Sequence, residues 1–139
     1  MFGRKHNKIA VVLTCADWRL HNARVDMNRR LARQLRVDGV DIVAVPGPDG
    51  LIRGERAAEW AVAVDQIKLL IMAHKPVALA VVAHQRCAGH PVSDGEHETD
   101  VVATARALKE KTGFRGPVAA IVAVYHSDAK WDFKHIATA

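Results

Sequence analysis

The chain has 139 residues, of which 50% are hydrophobic and 25% charged, with two cysteines and a formal net charge of +5. That length suits one domain spanning residues 1–139, the composition excludes a disordered chain, and two cysteines exclude a disulfide framework. Positive charge invites nucleic acid, yet many of the arginines gather between Arg24 and Arg36 on one predicted helix without interleaved aromatic residues, so a solvated face is expected and nucleic acid is not an expected partner.

The opening Met1–Cys15 imitates a secretory leader, with a basic start and a short apolar stretch. Its apolar part, Ile9–Leu13, is shorter than a leader needs and reads as a first strand. No membrane segment is expected, and cysteines that follow buried strands point to a reducing compartment, the cytoplasm by default. Leu20, Ala23, Met27, Leu31 and Leu35 then recur at helical steps, with Asp38-Gly39 as the stop. A second strand is expected over Asp41–Val45. The segment Pro46–Gly50 holds two prolines and two glycines and must be a loop.

From about Gly54 to His74 a helix presents Ala57, Trp60, Ala61, Val64, Ile67 and Ile71 on one side, and Pro76 follows its end. Val77–Ala83 is apolar throughout, as in a strand buried on both faces. Ser93-Asp94-Gly95 reads as a turn, after which Thr99 or Asp100 caps a helix running to Thr112. Val118–Tyr125 is a fourth buried strand, and His126–Ala139 is a tail that docks or crosses to a partner. Strands alternating with helices imply an α/β fold with a parallel four-stranded sheet of order 2-1-3-4 and helices on both faces.

That order places the ends of strands one and three side by side, where open α/β sheets bind ligands. Cys15 ends the first strand, and His84 and Cys87 follow the third. Two thiolates and one imidazole form a tetrahedral zinc set with one position left open, the ligand count of a catalytic site. In an extended segment Asp17 and Arg19 share a face with Cys15, while Ala16 and Trp18 look away. Asp17 can orient a water at the open position, with Arg19 keeping it ionised. Otherwise Asp17 itself closes the fourth position.

The joint pattern Cys15-x-Asp17-x-Arg19 and His84-x-x-Cys87 at two strand ends resembles the signature of the β-class carbonic anhydrases. The resemblance implies that Cys15, His84 and Cys87 bind Zn2+, that Asp17 and Arg19 form the catalytic dyad, and that the reaction is reversible hydration of carbon dioxide to bicarbonate. It also implies a homodimer or higher homo-oligomer. Two departures from the family pattern are Trp18, where a small residue is usual, and Val45-Pro46-Gly47-Pro48, which stands in place of an Asn-Ala-Gly loop.

Competing readings follow from those departures. One is a related zinc hydrolase acting on carbon disulfide or carbonyl sulfide, and another is a non-catalytic zinc-containing binding protein. For the cysteines the alternatives are buried thiols or a redox disulfide. His90 is a loop histidine, a proton shuttle or an alternative ligand. His97 between Glu96 and Glu98 belongs either to a second metal site or to a solvated polar loop, and Trp60 and Trp131 are packing residues.

Overall fold

The computed structural model describes residues 7–139; the basic start Met1–His6 of the leader-like opening lies outside the described residues. In chain order the elements are β1 (Ile9–Thr14), α1 (Trp18–His21), α2 (Met27–Leu35), β2 (Gly39–Ala44), a 3-10 turn (Pro48–Gly50), α3 (Ala57–His74), β3 (Ala78–His84), α4 (Asp94–Thr112), β4 (Val118–Ser127) and β5 (Lys130–Thr138). No helix among the described residues is long and apolar enough to cross a membrane.

The sheet has the order β2-β1-β3-β4-β5. The first four strands are parallel and in the expected order, whereas β5 pairs antiparallel with β4. The expected all-parallel four-stranded sheet is therefore corrected to a mixed five-stranded one. The expected tail is mostly β5, joined to β4 by a turn at Asp128–Ala129. Residues alternate in β5, Trp131 and Phe133 being buried and Asp132 and Lys134 exposed, the pattern of a strand with one face on the core.

Two apolar clusters occupy the two faces of the sheet. Val11 and Leu13 of β1, with Leu79, Val81 and Ala83 of β3, pack under α3 and α4. Val12, Ala80 and Val82 point the other way, toward Leu20 of α1, Met27 and Leu31 of α2, and Trp131 and Phe133 of β5. Each fully buried Val, Leu or Ile contributes about 1.5–3 kcal/mol, so the paired clusters fix β1 and β3 from both sides.

Several boundaries differ from expectation for local reasons. The first helix is broken at Asn22–Asp26, where Asn22 Oδ1 accepts from the Arg24 and Val25 N–H groups and Asp26 caps α2 in a left-handed conformation. Arg36, with φ of 56°, ends α2, so Gly39 is free to open β2. Of the expected stripe on α3, Ala57 and Ala61 are exposed, while Val64 and Ile67 are buried together with Ala63. Helix α4 begins earlier than expected because Ser93 is its N-cap, its hydroxyl accepting from Glu96 N–H and donating to the Glu96 carboxylate.

Candidate metal centre

Parallel pairing aligns Thr14 of β1 with Ala44 of β2 on one side and Val82 of β3 on the other. The residues just beyond these ends therefore meet. Cys15, His84 and Cys87 are 4%, 1% and 3% exposed, and one ligand atom from each lies within 4.8 Å of the others. Strand alternation sends the His84 side chain to the same face as Ala80 and Val82, where both cysteines lie. Arg86, in the left-handed region with φ of 56°, turns the chain so that Cys87 comes back beside His84.

The cysteines are free, and their sulfurs are 3.9 Å apart. A disulfide needs about 2.05 Å, whereas two thiolates on one tetrahedral zinc at about 2.3 Å each lie roughly 3.8 Å apart. The spacing matches the metal, and not the bond. The Nδ1–H of His84 donates to the Gln85 carbonyl at 2.6 Å, which leaves Nε2 with its lone pair. That Nε2 is buried and has no hydrogen-bond partner among the described residues. A buried imidazole nitrogen without a partner is costly, and a cation between it and the two sulfurs satisfies it. The donor set therefore fits zinc.

Hydrogen bonding from the Cys87 thiol, opposed by burial and aided by His84 and the Gly47 N–H, brings Cys15 down to about 4. The Cys15 thiolate, together with burial, drives the Cys87 thiol up. Burial pulls His84 toward its neutral form, but the neighbouring Cys15 thiolate outweighs it and the net shift is upward. Without metal the group thus holds protons that a cation must displace.

Asp17 is the N-cap of α1 rather than part of an extended segment. Its carboxylate accepts from Arg19 at four points: backbone N–H at 2.9 Å, Nε at 3.1 and 3.3 Å, and Nη2 at 2.8 Å. Asp17 Oδ2 lies 3.8 Å from His84 Nε2. The Arg19 hydrogen bonds, against some burial, hold Asp17 below the usual carboxylate range. Arg19 is fixed in turn by the Arg86 carbonyl at 3.0 Å and by the rings of Trp131 and Tyr125 at 5.4 and 5.7 Å.

Trp131 was expected only to pack, and it does so against the site. Fully buried, it meets the His84 ring edge-on with centroids 5.6 Å apart. Trp18 is 66% exposed, so the departure at that position points away from the cysteines. Ala16 does not look away as expected, since it lines a cleft of about 220 Å³ together with Cys15, Asp17, Pro46, Ala88 and Gly89.

The loop after β2 contributes through its backbone. Gly47 N–H donates to Cys15 Sγ at 3.5 Å. Gly47 has φ of 58°, and a Cβ there would lie 2.5 Å from the Gly89 carbonyl carbon, so only glycine lets the two loops touch. Arg56 Nη1 donates to the Gly47 and Gly89 carbonyls at 3.3 and 3.4 Å and clasps both loops. Sequence reading missed Gly47, Arg56 and Trp131 as parts of the site, because each acts through a contact between distant segments.

His90 and His97 lie outside this group. His90 Nε2 donates to Asp100 Oδ2 at 2.7 Å. His97 is fully buried on α4 and pairs with Asp49 at 2.6 Å, so it is neither solvated nor grouped with Glu96 and Glu98, which are about half-exposed.

No curated protein matches the chain. A sequence model of the family described as "putative carbonic anhydrase" matches residues 5–137, a span that takes in β1 to β4, nearly all of β5, and Cys15, Asp17, Arg19, His84 and Cys87, and with it the chain belongs to that family.

Proposed function

We propose that this chain is a zinc-dependent lyase that interconverts carbon dioxide and bicarbonate. The observation that supports it best is one juxtaposition: two sulfurs and an unpartnered imidazole nitrogen converge beside an ionised carboxylate 3.8 Å away, at a small cleft. When bound by three protein ligands, zinc supplies a site at which water becomes acidic enough to serve as a nucleophile near neutral pH. Cys15, His84 and Cys87 hold the ion. Asp17 Oδ2 accepts a hydrogen bond from the attacking water and aims its lone pair into the cleft. Arg19 would keep Asp17 ionised and its oxygens engaged, so that Asp17 would act on the water and not as a further ligand.

Ala16, Pro46 and Ala88 give the cleft apolar walls suited to a small uncharged electrophile. The same walls favour a second reading, hydrolysis of carbon disulfide or carbonyl sulfide. Elemental analysis is expected to find at least one zinc per chain, and the loaded protein to acidify a carbon dioxide solution at a rate abolished by a chelator and restored by zinc. A zinc-filled sample that releases sulfide but hydrates no carbon dioxide would transfer the assignment to the second reading. Inactivity in both assays leaves a non-catalytic zinc protein.

We further infer a homodimer or higher homo-oligomer in the cytoplasm. Helix α3 shows Val62, Leu69 and Met72 on one side at 56%, 59% and 70% exposure, an apolar stripe that self-association would cover. Free thiolate ligands suit a reducing compartment. Leu69→Glu is expected to convert the oligomer to monomer in sedimentation analysis. An unchanged sedimentation coefficient would exclude this face as the interface.

A further inference from the structure

Beyond the cysteines, a second group of metal-ligating side chains meets behind the Gly47–Gly89 contact. Asp49 in the 3-10 turn, His90 after Gly89, and Asp100 on α4 bring one ligand atom each within 4.8 Å of one another. Their side chains are 0%, 11% and 12% exposed. Each comes from a different segment, and none belongs to the cysteine site. We propose that Asp49, His90 and Asp100 form a second site, for a divalent first-row cation such as Mn2+ or Zn2+.

The orientation of His90 is fixed by packing. A Cβ on Gly50 would lie 2.6 Å from His90 Nδ1, so that edge of the ring rests on Gly50 and Nε2 faces the carboxylates. Nε2 is 2.7 Å from Asp100 Oδ2 and 4.0 Å from Asp49 Oδ2. The same Asp49 oxygen accepts from His97 Nδ1 at 2.6 Å. Asp49 Oδ1, in a side chain with no solvent exposure, has no hydrogen-bond partner among the described residues. A carboxylate removed from water with one oxygen unpaired is expensive. A cation bonded to the Asp49 carboxylate offsets that cost, and His97, on Oδ2, then stands as the outer partner that orients the ligand.

The donors choose the class of ion. One imidazole with two carboxylates and no sulfur suits Mn2+, Fe2+ or Zn2+ rather than a soft cation. Arg53 Nη1 now bonds Asp100 Oδ2 at 3.0 Å, but its side chain is 51% exposed and also within 3.5 Å of Glu96, so it can swing outward when the ion enters. As the metal–nitrogen bond forms, His90 gives up its Nε2 proton and carries one on Nδ1 instead, so the ring stays a neutral imidazole. Bound there, the ion ties the loop that supplies Gly47 to the turn that supplies Cys87, and anchors both to α4. It is a clamp on the loops, separate from the catalytic ion.

The test uses zinc-loaded full-length protein and Mn2+, which avoids thiolates, followed by the electron paramagnetic resonance of free Mn2+, with a parallel titration by further Zn2+. One additional ion per chain is expected, and its affinity should fall at least tenfold in both His90→Gln and Asp100→Asn, with the first zinc retained. Bound Mn2+ should also broaden the ring proton resonances of His90 and His97 in the unmodified protein, a readout that needs no variant to fold. No uptake of either metal, uptake unchanged in both variants, or broadening confined to other residues would overturn the proposal.

Discussion

Cys87→Ser is expected to lower zinc affinity by more than ~100-fold and to reduce carbon dioxide hydration to the background rate. Loss of an outer partner of a ligand typically costs about 10–100-fold, and here a ligand itself is removed. A serine hydroxyl is smaller than the thiol and does not ionise at neutral pH, so it replaces neither the charge nor the reach of the sulfur. Titration with a chromophoric zinc chelator measures the change. In the unmodified protein the same titration should show affinity rising with pH. The Cys15 thiolate and burial raise the Cys87 thiol above its ordinary value, so this group keeps its proton at neutral pH and zinc must expel it. One displaced proton makes affinity climb about tenfold per pH unit, and on acidification His84, itself raised above its ordinary value, takes a proton as well and steepens the fall. Full affinity in Cys87→Ser would remove this sulfur from the ligand set.

Asp17→Asn should leave zinc bound while lowering hydration by about 10²–10⁴-fold, the usual contribution of a positioned proton acceptor. Asparagine keeps the volume but loses the charge that Arg19 grips through three side-chain contacts, and its amide presents a donor either to Arg19 or to the water. Measuring zinc content and rate on one sample separates the possible roles. If the metal leaves with the substitution, Asp17 is a ligand. If the rate is unaffected, it is only the cap of α1. Because Arg19 holds Asp17 below the usual carboxylate range, loss of activity on mild acidification should follow loss of metal and not protonation of this carboxylate.

Much of the arrangement is legible in the sequence. β1, β3 and β4 are apolar on both faces, which makes their runs unbroken and easy to read. The order of the first four strands is the one that unites the ends bearing Cys15, His84 and Cys87. The antiparallel partner leaves a signal only four residues long, Trp131-Asp132-Phe133-Lys134, which alternates with period two after a turn. The break between α1 and α2 was hidden because apolar residues continue through it at helical spacing.

The second cluster was illegible for a different reason. Asp49 sits among prolines and glycines, where an acidic residue reads as a turn former, and its partners lie beyond residue 89. The flanking Glu96 and Glu98 disguised His97 as part of a polar loop, although the helix puts it on the buried side. Local pattern reports the face of a helix only when neighbours at i+3 and i+4 agree, and Asp100 beside Val101 gives a mixed message.

Because Trp131 of β5 braces both His84 and Arg19, the pocket is completed by a residue more than a hundred positions after Cys15. A nascent polypeptide emerging from the ribosome holds both cysteines and the histidine well before it holds this indole. A metal ion arriving during synthesis would therefore meet an unbraced imidazole, and the mature electrostatics would arise only when the hairpin closes.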